Sequence, residues 1–449
     1  MRLKHAKFHF IGIGGIGMCG LAQLLRSMGA TVSGSDISEN AQTKVLASLG
    51  VKIYLGHSAS NVGDVDVVVY TSAVTFENEE LVEARKRRIP IISRAEALAE
   101  IMRIKRGIAI AGSHGKTTTT SLVSSIFLEA KLDPTIVVGG RLDQIQSTAM
   151  LGHGEWLVAE ADESDGSFTK LSPEIVVITN IDNDHLDYFG SFGNLQKAFL
   201  TFANLVPFYG RAIVFGDDPL VKDLFLDFRK PVTFFGVKDS NDYVLSGNRG
   251  TYDVSRSGRL IGSFTSQFPG KHNALNSLAA ILVALEAGIS FEIAKLGIEK
   301  FTGVDRRFQY KGKKNEISVF DDYGHHPTEI KATLDAMREK FPQKRIVVWF
   351  QPHRYSRTQL CWGQFLSCFE NSDLLYITDV YAAGEKPIPG ITAEQLAIEV
   401  KHKNCKFISN KDSDLVIKEL KNNLKPNDIF LTLGAGDGWK LGAKLLENL

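Results

Sequence analysis

The chain has 449 residues, 44% hydrophobic and 23% charged, with 52 basic and 51 acidic residues giving a formal net charge of +1. That length suggests about three domains, and the hydrophobic fraction is enough for a sizeable core. The charge balance gives no overall attraction to nucleic acid or to an anionic membrane, so a small anionic ligand has to be caught by local features.

At the N-terminus Arg2, Lys4 and Lys7 precede an apolar run from Phe8 to Leu25, which imitates a signal peptide. Glycines at 12, 14, 15, 17 and 20 interrupt the run and no small-residue cleavage site follows it, so it reads as strand, turn and helix. No other stretch is long and apolar enough to span a bilayer. Phe8–Ile11 is the strand and Met18–Met28 the helix, followed by strands at 31–36, 65–70 and 89–92. Strands alternating with helices over residues 1–105 imply a parallel, doubly wound sheet. A second α/β segment, residues 106–302, has buried strands at 108–111, 156–160 and 175–179, an alternating and partly antiparallel-looking region at 210–270, and a helix from Asn273 to Ala287. A third, residues 303–449, has strands at 317–321, 345–350, 374–378 and 428–433, with a helix from Thr328 to Lys340. The four cysteines, Cys19, Cys361, Cys368 and Cys405, form no C-x-x-C pair and have no histidines at zinc spacing. Cys361 and Cys368 would share a face if they lay on one helix, and core packing in a reducing compartment is expected of them.

Gly112-Ser113-His114-Gly115-Lys116-Thr117-Thr118 follows a strand and opens a helix. Backbone N–H groups of such a loop wrap phosphates, the helix terminus and Lys116 add positive charge, and the Thr117 hydroxyl is placed for Mg²⁺. The general pattern has glycine where Ile110 stands, so this loop is shorter than usual. Glu160 to Asp165 holds four acids in six residues after a buried strand, either a solvated loop or metal ligands for the phosphate site. Asn180 to Asp187, with His185 among acids, ends the next strand in the same way. Gly12-Ile13-Gly14-Gly15-Ile16-Gly17, with Asp36 about twenty residues on, fits a dinucleotide or a nucleotide-diphosphate sugar equally. A separate ATP loop downstream argues against hydride transfer. In the third segment Asp321–Glu329, Phe350–Thr358 and Asp379–Glu385 place three polar clusters at three strand ends, although His326 can be purely structural.

With these stretches in order, together with Pro269–Asn273 and Arg306-Arg307-Phe308, the sequence strongly resembles the Mur ligase family over nearly its whole length. The resemblance implies a Rossmann-like UDP-binding domain, a central P-loop ATPase domain with a mostly parallel sheet, and a C-terminal Rossmann-like α/β domain that closes over both and holds the amino acid. Within the family the match is to the branch that joins L-alanine to the lactyl carboxylate of UDP-N-acetylmuramate through an acyl phosphate, with ATP and Mg²⁺, in the cytoplasm. Matched by motif, Gly112, Ser113, His114, Gly115, Lys116, Thr117, Thr118, His272, Asn273 and Arg306 fall on the ATP side, and Thr117, Glu160 and His185 on metal. Gly14, Gly15, Asp36, His57 and Ser72 match the UDP-sugar side. Tyr323, His325, His353 and Arg354 match the alanine site, with Lys116, His325 and Arg357 as the catalytic set. The resemblance implies no nucleic-acid partner, no membrane insertion, and a monomer or weak homodimer. Another ligase of the same fold, or a nicotinamide-dependent oxidoreductase, is the competing reading.

Overall fold

The computed structural model describes residues 4–71 and 73–449. They form two compact units. One runs up to Ser246 and takes in Tyr252–Thr265 and Leu275–Thr302; the other comprises Gly247–Thr251, Ser266–Ala274 and Gly303–Leu449. No helix among the described residues is long and apolar enough to cross a membrane.

The first unit holds two sheets. The first is built from β1 (Lys7–Ile11), β2 (Thr31–Asp36), β3 (Lys52–Leu55), β4 (Val67–Tyr70) and β5 (Ile91–Ser93), all parallel, in the order β3-β2-β1-β4-β5. Between them run α1 (Ile16–Ser27), α2 (Ala41–Ser48) and α3 (Glu79–Lys86), and α4 (Arg94–Met102) follows β5. The β1 side chains divide between two cores, with Phe8 and Phe10 in one and Ile11 in the other. That two-sided burial explains why parallel strands read as continuous apolar runs rather than alternating ones.

The second sheet comprises β6 (Arg106–Ala111), β7 (Thr135–Leu142), β8 (Ser147–Met150), β9 (Trp156–Glu160), β10 (Ile175–Ile178), β11 (Arg211–Phe215), β12 (Val232–Gly236), β13 (Tyr243–Asn248), β14 (Thr251–Arg256) and β15 (Arg259–Thr265). Its order is β15-β14-β13-β12-β11-β10-β6-β9-β7-β8. The pairs from β13 through β12, β11, β10, β6 and β9 to β7 are parallel, and β7–β8 is antiparallel. Two-residue turns join β13 to β14 and β14 to β15, so the region that alternates in sequence divides: β11 and β12 extend the parallel sheet, and only β13 to β15 form a meander at its end. The two sheets share an apolar core. A Cβ on Gly20 of α1 would lie 3.1 Å from Thr148 Oγ1 of β8, so the helix sits tight on that hairpin.

The second unit carries β16 (Gln309–Lys314), β17 (Ile317–Asp322), β18 (Ile346–Phe350), β19 (Leu374–Ile377), β20 (Cys405–Phe407) and β21 (Ile429–Leu433), ordered β16-β17-β21-β18-β19-β20. Only β16 is antiparallel to its neighbour. Ile346, Val348 and Phe350 enter the core on one face, Val347 and Trp349 the core on the other. Cys361 and Cys368 do not share a helix: Cys361 ends the short helix Tyr355–Leu360, the next helix stops at Phe365, and both cysteines bury in the same core.

Candidate active site

Strands β10, β6 and β9 are neighbours and parallel, so the loops after them meet at one sheet edge. β6 runs through Ile110, which pairs with Val177 and Glu160 and is fully buried. Position 110 is thus strand interior, and the loop begins at Gly112. Gly112 (φ +137°) and Gly115 (φ +83°) have backbones that L-residues rarely adopt. A Cβ on Gly112 would sit 2.0 Å from Thr179 Oγ1, and one on Gly115 2.6 Å from Asn276 Oδ1. The helix that follows, α5 (Lys116–Glu129), has no side-chain cap, leaving its first N–H groups to a ligand. Thr118 lies in its first turn, partly buried.

The β10 loop moors this turn. Asn180 accepts from His114 N at 2.9 Å and donates to His114 O at 2.9 Å. Ser113 Oγ accepts from Asp182 N at 2.9 Å and donates to Asp182 O at 3.2 Å, while His114 Nε2 lies 2.9 Å from Asp182 Oδ2. The β9 loop brings charge. Lys116 Nζ donates to Glu163 Oε1 at 2.7 Å and to Gly112 O at 2.7 Å. Burial works against the Lys116 charge, but Glu163 and Asp162 outweigh it and raise its pKa. Burial also pushes Glu163 up to about 7, against the pull of Lys116. Thr117 Oγ1 donates to Glu160 Oε1 at 3.1 Å, and Glu160 Oε2 accepts from Gly139 N at 2.7 Å. His185 Nε2 is 3.6 Å from Glu163 Oε1, on a backbone at φ +56°. A hydroxyl and carboxylates at a phosphate loop are the hard oxygen donors that suit Mg²⁺. Glu163 Oε2, fully buried and without a hydrogen-bond partner, points to the same fit.

In the first sheet Gly14 N donates to Asp36 Oδ2 at 2.8 Å, so the glycine turn and the end of β2 are locked together. Gly15 is the N-cap of α1 and has no side chain to close that terminus. His57 follows β3, its Nδ1 3.0 Å from Ser35 Oγ and 3.3 Å from Glu80 Oε2. Burial works to raise the Glu80 pKa, but the neighbouring His9 and hydrogen bonds from Ser35 and Asn61 prevail and take it to about 2. Ser72 lies outside the described residues.

In the second unit β17, β21, β18 and β19 are adjacent and parallel, and their ends gather the three polar clusters. The Tyr323 ring lies 5.4 Å from that of His325, which is 5.6 Å from His353, which stacks on Tyr381 at 5.6 Å. Arg357 Nη1 donates to His353 Nδ1 at 3.3 Å, which places the His353 proton on Nε2. Burial lowers the His353 pKa to about 4, with Arg357 and Arg354 adding to it. Burial takes His325 down to about 3, against the opposing charge of Glu329. Arg354, at φ +68°, donates through Nε to Glu385 Oε1 at 2.7 Å, and Ser356 N donates to the other oxygen of that carboxylate at 3.0 Å. His326 caps the helix Pro327–Lys340, the structural role open to it in the sequence. Arg306 donates to Asp321 Oδ2 at 3.1 Å and to the carbonyls of Gly436 and Gly434 at 3.1 and 2.5 Å, and lies 4.9 Å from the Tyr323 ring. His272 and Asn273 also belong to the second unit, on the first turn of the helix Lys271–Glu286. Burial takes the His272 pKa down to about 4, and Asn273 Nδ2 donates to Pro269 O at 2.8 Å.

The structure thus gathers Gly112–Thr118, Glu160 and His185 in one place, and Tyr323, His325, His353, Arg354 and Arg357 in another. Sequence reasoning missed Asn276 and Glu80, and included Glu163, Asn180, Glu329 and Glu385 only as members of polar clusters, without a role of their own. Glu163, Asn180, Glu329 and Glu385 stand within polar runs at strand ends, the signal that could have found them. Asn276 and Glu80 lie in helices with no such signal.

Three family models match the chain in order: "Mur ligase family, catalytic domain" over residues 7–106, "Mur ligase middle domain" over 110–284, and "Mur ligase, glutamate ligase domain" over 306–436. A UDP-N-acetylmuramate–L-alanine ligase of Bdellovibrio bacteriovorus is 59% identical, covering all of both chains. One of Geotalea uraniireducens is 49% identical over 99% of this chain and 98% of its own. Among solved structures, the UDP-N-acetylmuramate-alanine ligase MurC of Thermotoga maritima superposes with a TM-score of 0.84 at 31% identity over 99% of both chains. A murein peptide ligase of Psychrobacter arcticus gives 0.73 at 25% identity over 98% of both. Matched by its domain models in order and by relatives along its whole length, the chain belongs to the Mur ligase family.

Proposed function

We propose that the chain is an ATP-dependent ligase that joins L-alanine to the lactyl carboxylate of UDP-N-acetylmuramate, releasing ADP and phosphate, in the synthesis of peptidoglycan precursors. The substrate pair rests on the full-length match at 59% identity to a relative that carries that activity in its name. The ATP role rests on one geometric observation: a phosphate loop whose lysine is buried against Glu163 and whose threonine faces Glu160. Residues 1–105 take the UDP-sugar, 106–302 the ATP and 303–449 the amino acid. The substrates are cytoplasmic metabolites, and the enzyme works there.

The lactyl carboxylate attacks the γ-phosphorus and ADP leaves, giving an acyl phosphate. The alanine amine then attacks the acyl carbon, and the tetrahedral intermediate expels phosphate. Backbone N–H groups of Gly112–Thr118 cradle the phosphates and Lys116 balances their charge. Thr117 and Glu160 would hold Mg²⁺, and His185 with Glu163 a second ion, which when bound neutralises charge on the transferring phosphoryl. In the second unit Arg354 and Arg357 suit an α-carboxylate. A histidine with a pKa near 3 is a poor base for an alkylammonium, so His325 serves as a neutral hydrogen-bonding wall and the amine arrives already deprotonated. ADP release with UDP-N-acetylmuramate and L-alanine, against L-alanyl tripeptide in its place, tests the reading. Release with the tripeptide alone overturns it.

A further inference from the structure

Glu80 is the second residue of α3, whose N-cap is Asn78, and it is fully buried behind the UDP-sugar side of the first sheet. Four side chains converge on its carboxylate. Asn61 Nδ2 donates to Oε1 at 2.6 Å, Ser35 Oγ donates to Oε2 at 2.5 Å, His57 Nδ1 is 3.3 Å from Oε2, and His9 Nε2 is 3.7 Å from it. Burying a carboxylate is costly unless hydrogen bonds satisfy it, as they do here, and the functional reading above makes no use of this one.

The proton order can be read from these distances. Ser35 has one hydroxyl hydrogen, and the ionised Glu80 takes it. The Ser35 oxygen therefore presents only lone pairs to His57 Nδ1, 3.0 Å away. The second neighbour of Nδ1 is Glu80 Oε2 itself. Both are acceptors, so Nδ1 carries the ring proton and the neutral ring leaves Nε2 bare. The ring is also held in place. Asn61 Nδ2 bridges Glu80 to Gly56 O (3.2 Å), and Gly56 N donates to Asp36 O (2.8 Å). The His57 side chain is 20% exposed. β3, which it follows, lies one strand outward from β2 and Asp36, hence beyond the ribose position and where a base would lie.

We propose that Glu80 is a positioning residue that fixes His57 as the Nδ1–H tautomer, making Nε2 an acceptor for the N3–H of a uracil base. The proposal rests on the reading of this sheet as the UDP-sugar side. Uracil offers a donor at N3; cytosine offers a lone pair there, which would face the Nε2 lone pair.

The test has two arms on the full chain. Two-bond ¹H–¹⁵N spectra of the wild type should show His57 protonated on Nδ1, and calorimetric titration should find UDP bound about tenfold or more tighter than CDP. In Glu80→Gln the new amide donates to Ser35 Oγ, the serine hydrogen turns toward His57 Nδ1, and the ring proton moves to Nε2. The UDP:CDP ratio should then fall to about threefold or less, a change that mere loosening of the loop would not produce because it weakens both ligands alike. A wild-type His57 protonated on Nε2, equal affinity for UDP and CDP, or an unchanged ratio in Glu80→Gln overturns the proposal. If Glu80→Gln does not fold, the two wild-type measurements decide alone. A wild type that binds no UDP-N-acetylmuramate instead sinks the reading beneath it, and the proposal with it.

Discussion

Lys116 and Glu163 are a buried pair whose members need each other unequally. Lys116 is held charged by the surrounding carboxylates, whereas Glu163 already sits near 7 because burial outweighs the lysine's pull. Removing the lysine therefore leaves a carboxyl that can take up a proton rather than a stranded charge. Lys116→Ala should fold, lose ligation by roughly 10²–10³-fold, and keep UDP-sugar affinity, since the glycine turn of the first sheet is a separate loop. ADP release and calorimetry with UDP-N-acetylmuramate check the two halves; loss of sugar binding would sink the division of labour. Gly112 makes the opposite case, where the backbone decides. An added methyl meets Thr179 Oγ1 at 2.0 Å on a left-handed backbone. Gly112→Ala should cost about 2–4 kcal/mol by urea unfolding and weaken ATP binding with it, and a fully stable variant would contradict the geometry.

At the scale of elements, the loop after β10 acts on the phosphate loop without belonging to it. Asn180 bonds both the N–H and the carbonyl of His114. Asn180→Ala breaks two hydrogen bonds that set the shape of the cradle, each worth about 1 kcal/mol, so the KM for ATP should rise about tenfold or more while kcat changes less. A fall in kcat at constant KM would mean that Asn180 serves the transition state instead. This element also shows what a sequence carries. The strands under each site were legible because parallel strands buried on both faces leave dense apolar runs, and polar residues at their ends mark the ligand edge. β3, β8 and β20 were not, being short, half-exposed or polar. The phosphate loop was readable because glycine, lysine and threonine must follow one another there. Its moorings were not, because Asn180 and Glu163 are tied to it across strands adjacent in the sheet but some 50–70 residues away in the chain. The buried thiols belong to the same scale. Burial pushes the pKa of Cys19 up to about 11 and that of Cys368 higher still, so aqueous thiol reagents should label these two cysteines only on unfolding.

Over the whole molecule the near-zero net charge leaves pH dependence to individual buried groups, and the second unit holds the largest of them. His272, His325 and His353 sit there neutral, at about 4, 3 and 4, against 6.5 for an unburied histidine. Burial is the leading cause in each. As pH falls below about 6.5 the unfolded chain takes up protons that the folded unit refuses, so the stability these histidines confer is full above that pH and is lost progressively toward 4. Asp322 and Asp428, both raised by burial in the same unit, work the other way, since their folded forms hold protons more tightly than the unfolded chain does, but they are two groups against three. Three of the four tryptophans, Trp349, Trp362 and Trp439, also lie in this unit, so their fluorescence reports its unfolding. The urea midpoint followed by tryptophan emission should therefore be lower near pH 5 than near pH 7.5, and His272→Gln, which cannot titrate, should flatten the difference. A midpoint equal or higher near pH 5 would mean that these imidazoles are charged in the folded protein, and with that the neutral His325 wall proposed for the amino-acid site would fall too.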